Sequence, residues 1–81
     1  MNVEVKVFAV AREVVGSDTV TLTLSDPATV RQLRAALVER YPALASTMRH
    51  MLVAVDADYA RDDAQLTERS EVALIPPVSG G

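Results

Sequence analysis

Apolar and polar residues alternate in two separate stretches near the start of the chain, and this period of two constrains the fold more than any other feature. Val3, Val5 and Val7 alternate with Glu4, Lys6 and Phe8, and Val20, Leu22 and Leu24 alternate with Thr19, Thr21 and Thr23. Successive side chains on a strand point to opposite faces, so each stretch reads as a strand with one apolar and one solvated face. Gly16-Ser17-Asp18 supplies the turn into the second strand. Ala11 to Val15 closes one short helical turn between them, which makes the connection longer than a tight hairpin.

A sheet with one apolar face needs a cover. Thr29 precedes Val30, Leu33, Leu37 and Tyr41, a stripe at helical spacing, and Gln32 stands where a capping box needs a side chain reaching back to Thr29. Pro42 disfavours helical geometry at Tyr41, so the helix ends near Arg40. A weakly specified helical turn is expected over 43–49, then a compact apolar strand over 52–55. Asp56-Ala57-Asp58 turns the chain, Tyr59 and Ala60 form a brief edge strand, and 61–64 is a loop. Thr67 to Ser70 forms the polar approach to a final strand, Glu71 to Ile75. The order strand, strand, long helix, strand, short strand, strand fits an α+β fold, a ubiquitin-like β-grasp with a mixed sheet and one main helix on a face. In that fold the first and last strands are parallel neighbours. Residues 1–75 are then one domain, and 76–81 form an extended tail.

The tail Pro76-Pro77-Val78-Ser79-Gly80-Gly81 has a chemistry of its own. Proline fixes φ and restricts the preceding residue, so Pro76 and Pro77 aim the chain outward from the last strand. Glycine lacks a Cβ, and Gly80 and Gly81 therefore suit a channel too narrow for other residues. From Val78 onward an extended backbone reaches roughly 13 Å at about 3.3 Å per residue, enough to enter the active site of a docked partner. The expected reacting group is the Gly81 carboxylate.

Composition narrows the functional classes. The 81 residues are 49% hydrophobic, which suits one small core. There is no cysteine, so neither a disulfide frame nor a thiolate metal site is available, and a cytoplasmic location is the expectation. The net charge of −3 opposes binding to a phosphate backbone, and no apolar run approaches membrane-spanning length, so neither nucleic acid nor membrane is an expected partner. His50 is the sole histidine and has no companions at ligand spacing. Asp56, Asp58, Asp62 and Asp63 lack the glycine and terminal glutamate of a calcium loop and read as turn residues. No metal site is expected, and no serine, histidine and acid arrangement supports independent catalysis.

The segments 7–16 and 71–81 together resemble the small subunits of molybdopterin synthase, within the ubiquitin-like sulfur carriers. The likeness spans essentially the whole chain, and the Pro-Pro-Val-Ser-Gly-Gly ending is its specific part. What it implies is a sulfur carrier. An E1-like adenylyltransferase adenylates Gly81, a sulfurtransferase or desulfurase supplies sulfur, and a thiocarboxylate results. The large subunit of the synthase then uses that sulfur on cyclic pyranopterin monophosphate. Members of this family present a small apolar surface near the tail to both partners, and Phe8, Tyr59 and Ile75 stand at the matching positions. Arg12 is a further interface residue by the same resemblance.

The residues themselves agree with this role. A chain without cysteine cannot hold sulfur as a persulfide, and a carboxylate needs conversion to an acyl-adenylate before it has a leaving group. No Walker-type loop is present, so ATP belongs to the activating enzyme and this chain binds no cofactor. Three other readings stay open at the level of sequence. They are a carrier for thiazole, cysteine or tRNA thiolation, a ubiquitin-like modifier joined to lysines through Gly81, and an interaction module whose tail does no chemistry.

Overall fold

The computed structural model describes residues 1–77. Strand β1 (Asn2–Val7) and strand β2 (Thr19–Thr23) form an antiparallel pair in which Val3 faces Leu22 and Val5 faces Val20. Helix α1 (Ala9–Val15) joins them. It has seven residues, longer than the single turn expected over 11–15, and it stops at Gly16. That glycine has φ 80°, and its N–H donates to the Arg12 carbonyl oxygen at 2.8 Å. A left-handed residue at this position is what ends the helix, and glycine adopts it without a Cβ penalty.

The two-residue strand β3 (Ala28–Thr29) leads into helix α2 (Val30–Arg40). The capping box is complete: the Gln32 N–H donates to Thr29 Oγ1 at 3.3 Å, and the Thr29 N–H donates to Gln32 Oε1 at 2.8 Å. The helix ends at Arg40, as Pro42 requires. A 3-10 turn (Pro42–Leu44) and helix α3 (Ala45–Met48) then occupy the segment expected to be a weak turn. Strands β4 (Leu52–Val55), β5 (Asp58–Tyr59), β6 (Gln65–Leu66) and β7 (Val72–Ile75) complete the chain.

Five strands form one sheet in the order β2-β1-β7-β4-β5. The last strand lies parallel to the first, with Val5 beside Val72 and Val7 beside Leu74, and antiparallel to β4 on its other side. The first and last strands are thus central neighbours, the arrangement of a β-grasp. A second sheet joins β3 to β6 and was not expected from the sequence. The brief edge strand comprises Asp58 and Tyr59, one residue earlier than expected, and β7 begins at Val72 instead of Glu71.

Valines 3, 5, 7, 53 and 72 and Leu74 on the inner face of the sheet pack against Val30, Leu33 and Leu37 of α2, with Leu44, Met51 and Leu66 closing the ends. No polar or charged side chain is buried among the described residues. Arg34, on α2, joins several parts of this frame. Its Nη1 donates to the carbonyl oxygens of Met48 at 3.0 Å and Met51 at 2.8 Å, while its Nε pairs with Asp62 at 3.0 Å. One partly buried guanidinium therefore fixes the entry to β4 against the helix. Hydrogen bonds from a charged donor are worth about 1.5–3 kcal/mol, and the two carbonyls would lose their partner in Arg34→Ala. That variant is expected to lower unfolding stability by about 2 kcal/mol, measured by urea denaturation, with Arg34→Lys recovering only part because an ammonium lacks the planar fork.

Candidate functional site

The side of the sheet away from α2 carries most of the exposed large apolar residues, Phe8, Leu52 and Tyr59, while Val10 is exposed on α1. Across neighbouring strands, Lys6 stands beside Ala73, Ala73 beside Ala54, and Ala54 beside Tyr59. One row further along, Ile75 stands beside Leu52. Phe8 continues β1 in extended geometry, with φ −137° and ψ 162°, which brings it to the same end of the sheet as Ile75. A shallow groove results, lined by Lys6, Phe8, Ala57, Tyr59, Ala73 and Ile75. Phe8 is 47% exposed and Tyr59 69%, large values for aromatic side chains in a domain whose core is apolar throughout.

Three of the expected interface residues, Phe8, Tyr59 and Ile75, therefore share one surface. Arg12 does not line it. It lies on α1 in a polar recess with Glu13, Gly16 and Asp18, and its Nε pairs with the Asp18 carboxylate at 2.7 Å in a solvent-exposed setting. Such a pair closes the turn from α1 to β2 and adds little to stability. Leu52 is an addition that sequence reasoning missed. It is 43% exposed and is the cross-strand neighbour of Ile75. The uninterrupted run Leu52-Val53-Ala54-Val55 has no alternation to separate its faces, so only the pairing register reveals that Leu52 points outward.

The hairpin that presents Tyr59 is a two-residue loop of Asp56 and Ala57, with φ 51° and 72°. Both central residues in the left-handed region define a type I′ turn, whose twist matches that of the flanking strands. Asp56 also clamps the hairpin to the start of β7. Its N–H donates to the Glu71 carbonyl oxygen at 2.9 Å, and its Oδ1 accepts from the Glu71 N–H at 3.0 Å. The edge strand is thus tied to the strand that leads to the tail.

Ile75 lies in the groove, and Pro76 and Pro77 follow it directly, Pro76 half-buried and Pro77 exposed. Val78, Ser79, Gly80 and Gly81 lie outside the described residues. His50 is exposed after α3, and among the described residues no three His, Cys, Asp or Glu side chains converge as metal ligands. No described helix is long and apolar enough to cross a membrane.

The ThiS family model matches residues 5–81. The chain belongs to the ThiS family. Among relatives of this ThiS-family chain, the molybdopterin synthase sulfur carrier subunit of Chlamydomonas reinhardtii is 40% identical over all of both chains. The subunit of the same name from Escherichia coli strain K12 is 38% identical, covering 98% of this chain and 99% of the other. Small archaeal modifier protein 1 of Haloferax volcanii is 37% identical, covering 96% and 99%. Its crystal structure superposes with a TM-score of 0.83 at 35% identity over the whole of both chains. A chain from the complex of subunits 1 and 2 of the Helicobacter pylori molybdopterin-converting factor shares the fold, with a TM-score of 0.70 at 21% identity over all of both chains. The ThiS-family chain is of the molybdopterin synthase sulfur-carrier type and has the β-grasp fold of these proteins.

Ala57 gives a direct test of how the groove is built. A residue with a Cβ in the left-handed region costs on the order of 1 kcal/mol relative to glycine. Ala57→Gly is therefore expected to raise the unfolding midpoint only slightly, with a gain of at most about 0.5 kcal/mol once the greater chain entropy of glycine, roughly 0.4–1 kcal/mol, is subtracted. A loss of stability in equilibrium denaturation would mean that the turn is not type I′.

Proposed function

We propose that this chain works as the sulfur-donating subunit of a molybdopterin synthase through the Gly81 carboxyl group. An E1-like adenylyltransferase holds ATP and transfers AMP to that carboxylate. Sulfur from a sulfurtransferase or desulfurase then displaces AMP and leaves a thiocarboxylate. The thiocarboxylate, a soft anionic nucleophile, gives its sulfur to cyclic pyranopterin monophosphate in the active site of the large subunit. The pterin-binding and catalytic side chains belong to that subunit, and this chain itself binds no cofactor.

The observation that supports this reading most is the placement of Ile75. This residue lies in the exposed apolar groove and is also the last residue before the double proline. A partner that covers Phe8, Leu52, Tyr59 and Ile75 is therefore seated where the tail departs, and the tail can enter its active site with little further search. The 40% identity with the molybdopterin synthase sulfur carrier subunit of Chlamydomonas reinhardtii and the fold-level likeness to a chain from a two-subunit converting factor support a large-subunit partner. Basic side chains are expected to line the partner's tail channel, because charge-assisted hydrogen bonds favour carboxylate and thiocarboxylate. Arg12, outside the groove, is proposed to contact the rim of a partner.

The likeness to small archaeal modifier protein 1 favours a second reading, in which the activated carboxyl is joined to lysines of other proteins. Both readings share the activation step and differ in the acceptor. Incubation with the activating enzyme, ATP and a sulfur source, followed by intact-mass measurement, separates them. A shift equal to one oxygen-to-sulfur exchange supports the carrier, whereas isopeptide conjugates without any thiocarboxylate support the modifier.

Adding one residue after Gly81 is expected to abolish sulfur loading and pterin conversion while the melting temperature stays unchanged. Full conversion by the extended chain would defeat the proposal. Phe8→Ala and Tyr59→Ala are each expected to weaken binding to the large subunit by roughly tenfold or more, since buried aromatic anchors commonly contribute at least ~1.4 kcal/mol to an interface. Isothermal titration measures this, and unchanged affinity in both variants would remove the groove from the interface.

A further inference from the structure

Of the eight basic side chains in this protein, Lys6 is the only lysine and the rest are arginine. The distinction is chemical, because arginine supplies positive charge without an amine lone pair, while a lysine amine attacks activated acyl groups. A chain whose own carboxyl is activated is exposed to capture by its own amines. Lys6 is the one side-chain amine in the sequence, and the fold treats it differently from the Met1 amino group. The Met1 amine donates to the Leu24 carbonyl oxygen at 2.7 Å in a partly buried position, tied into the end of the β1–β2 ladder. Lys6 is exposed on the outer face of β1, lines the apolar groove, and has no ion-pair partner among the described residues.

We propose that Lys6 is the acyl-acceptor site of this protein, taking the activated Gly81 acyl group of a second copy to form an isopeptide bond. In the step, the Lys6 Nζ lone pair attacks the Gly81 carbonyl carbon. A C–N bond forms, the bond from that carbon to the leaving group breaks, AMP or a thiol departs with the electron pair, and the ammonium proton passes to buffer. No oxidant or reductant is needed. Since Lys6 lies beside Ala73 and lines the same groove as Phe8 and Tyr59, a partner seated on that groove covers it. Docking and self-acylation therefore compete for one surface, and the free chain is the form open to modification. The inference rests on Gly81 being the activated group, although its test does not depend on the activating enzyme.

The full chain, prepared with Gly81 as a C-terminal thioester, is incubated at high concentration in mildly alkaline buffer and analysed by intact mass and peptide mapping. The expected product is two chains joined with loss of the thiol, carrying a Gly81–Lys6 isopeptide, and absent in Lys6→Arg. An amide mapped mainly to Met1, or hydrolysis with no amide, overturns the proposal. A parallel sample contains the large subunit of a molybdopterin synthase, with co-elution checked by gel filtration. Loss of the joined species in the co-eluting complex is expected, and its persistence there overturns the shared-surface part. Failure to co-elute counts against the partner reading above, while the mapping experiment still decides the assignment of Lys6.

Discussion

The parallel pairing of β1 with β7 is the constraint on which the rest of the molecule depends. It joins residues from opposite ends of the sequence, with Val5 beside Val72 and Val7 beside Leu74. Parallel strands cannot be joined by a tight turn, so everything between them must serve as the crossover, and α2 fills that role across the inner face. With β4 on its other flank, β7 has hydrogen-bonded neighbours on both sides. The strand that ends in the tail is thus among the best anchored in the sheet. Its position also sets the composition of the outer surface, because the same register that buries Val72 and Leu74 turns Ala73 and Ile75 toward the groove.

The two faces of these strands divide the work. The inner face supplies the apolar burial that holds a small domain together, and no polar side chain interrupts it among the described residues. The outer face carries exposed apolar side chains, the surface proposed to meet a partner. Phe8, Leu52 and Tyr59 contribute little to the core while exposed, so the surface they form is open to selection for partner fit at small cost to folding. Lys6 and Glu71 at the margins of the groove place charge beside the apolar patch. Charged residues bordering an exposed apolar surface also oppose indiscriminate association.

Much of this was legible because it is local. Period-two alternation gave β1 and β2, and the Thr29–Gln32 capping box with Pro42 fixed both ends of α2. The second sheet was not legible: Ala28–Thr29 and Gln65–Leu66 are two residues each, too short for any periodicity, and their pairing joins distant segments. The length of α1 was missed because Ala9, its first residue, has φ 50°, a left-handed value that no propensity would assign to alanine. At the site, resemblance named Phe8, Tyr59 and Ile75, and the structure places them on one surface. Leu52 needed the register of β4 against β7, which is a tertiary fact. Arg12 reads differently once its carboxylate neighbour Asp18 is seen.

If the groove docks a partner as proposed, the stiffness of Pro76 and Pro77 bears on how the tail is delivered. A freely jointed tail would spread its end over a large volume, and ordering it on binding would cost conformational entropy at every residue. Pro76 and Pro77 remove part of that freedom in advance, and they do so immediately after a strand held on both sides. A partner that first covers the apolar groove therefore meets a tail whose direction is already set at its root. Restricting the root of the tail in this way would raise the local concentration of the terminal group near a docked partner's site. Loosening the root, for example by Pro76→Gly and Pro77→Gly together, would slow sulfur transfer even with the groove, the fold and Gly81 all intact.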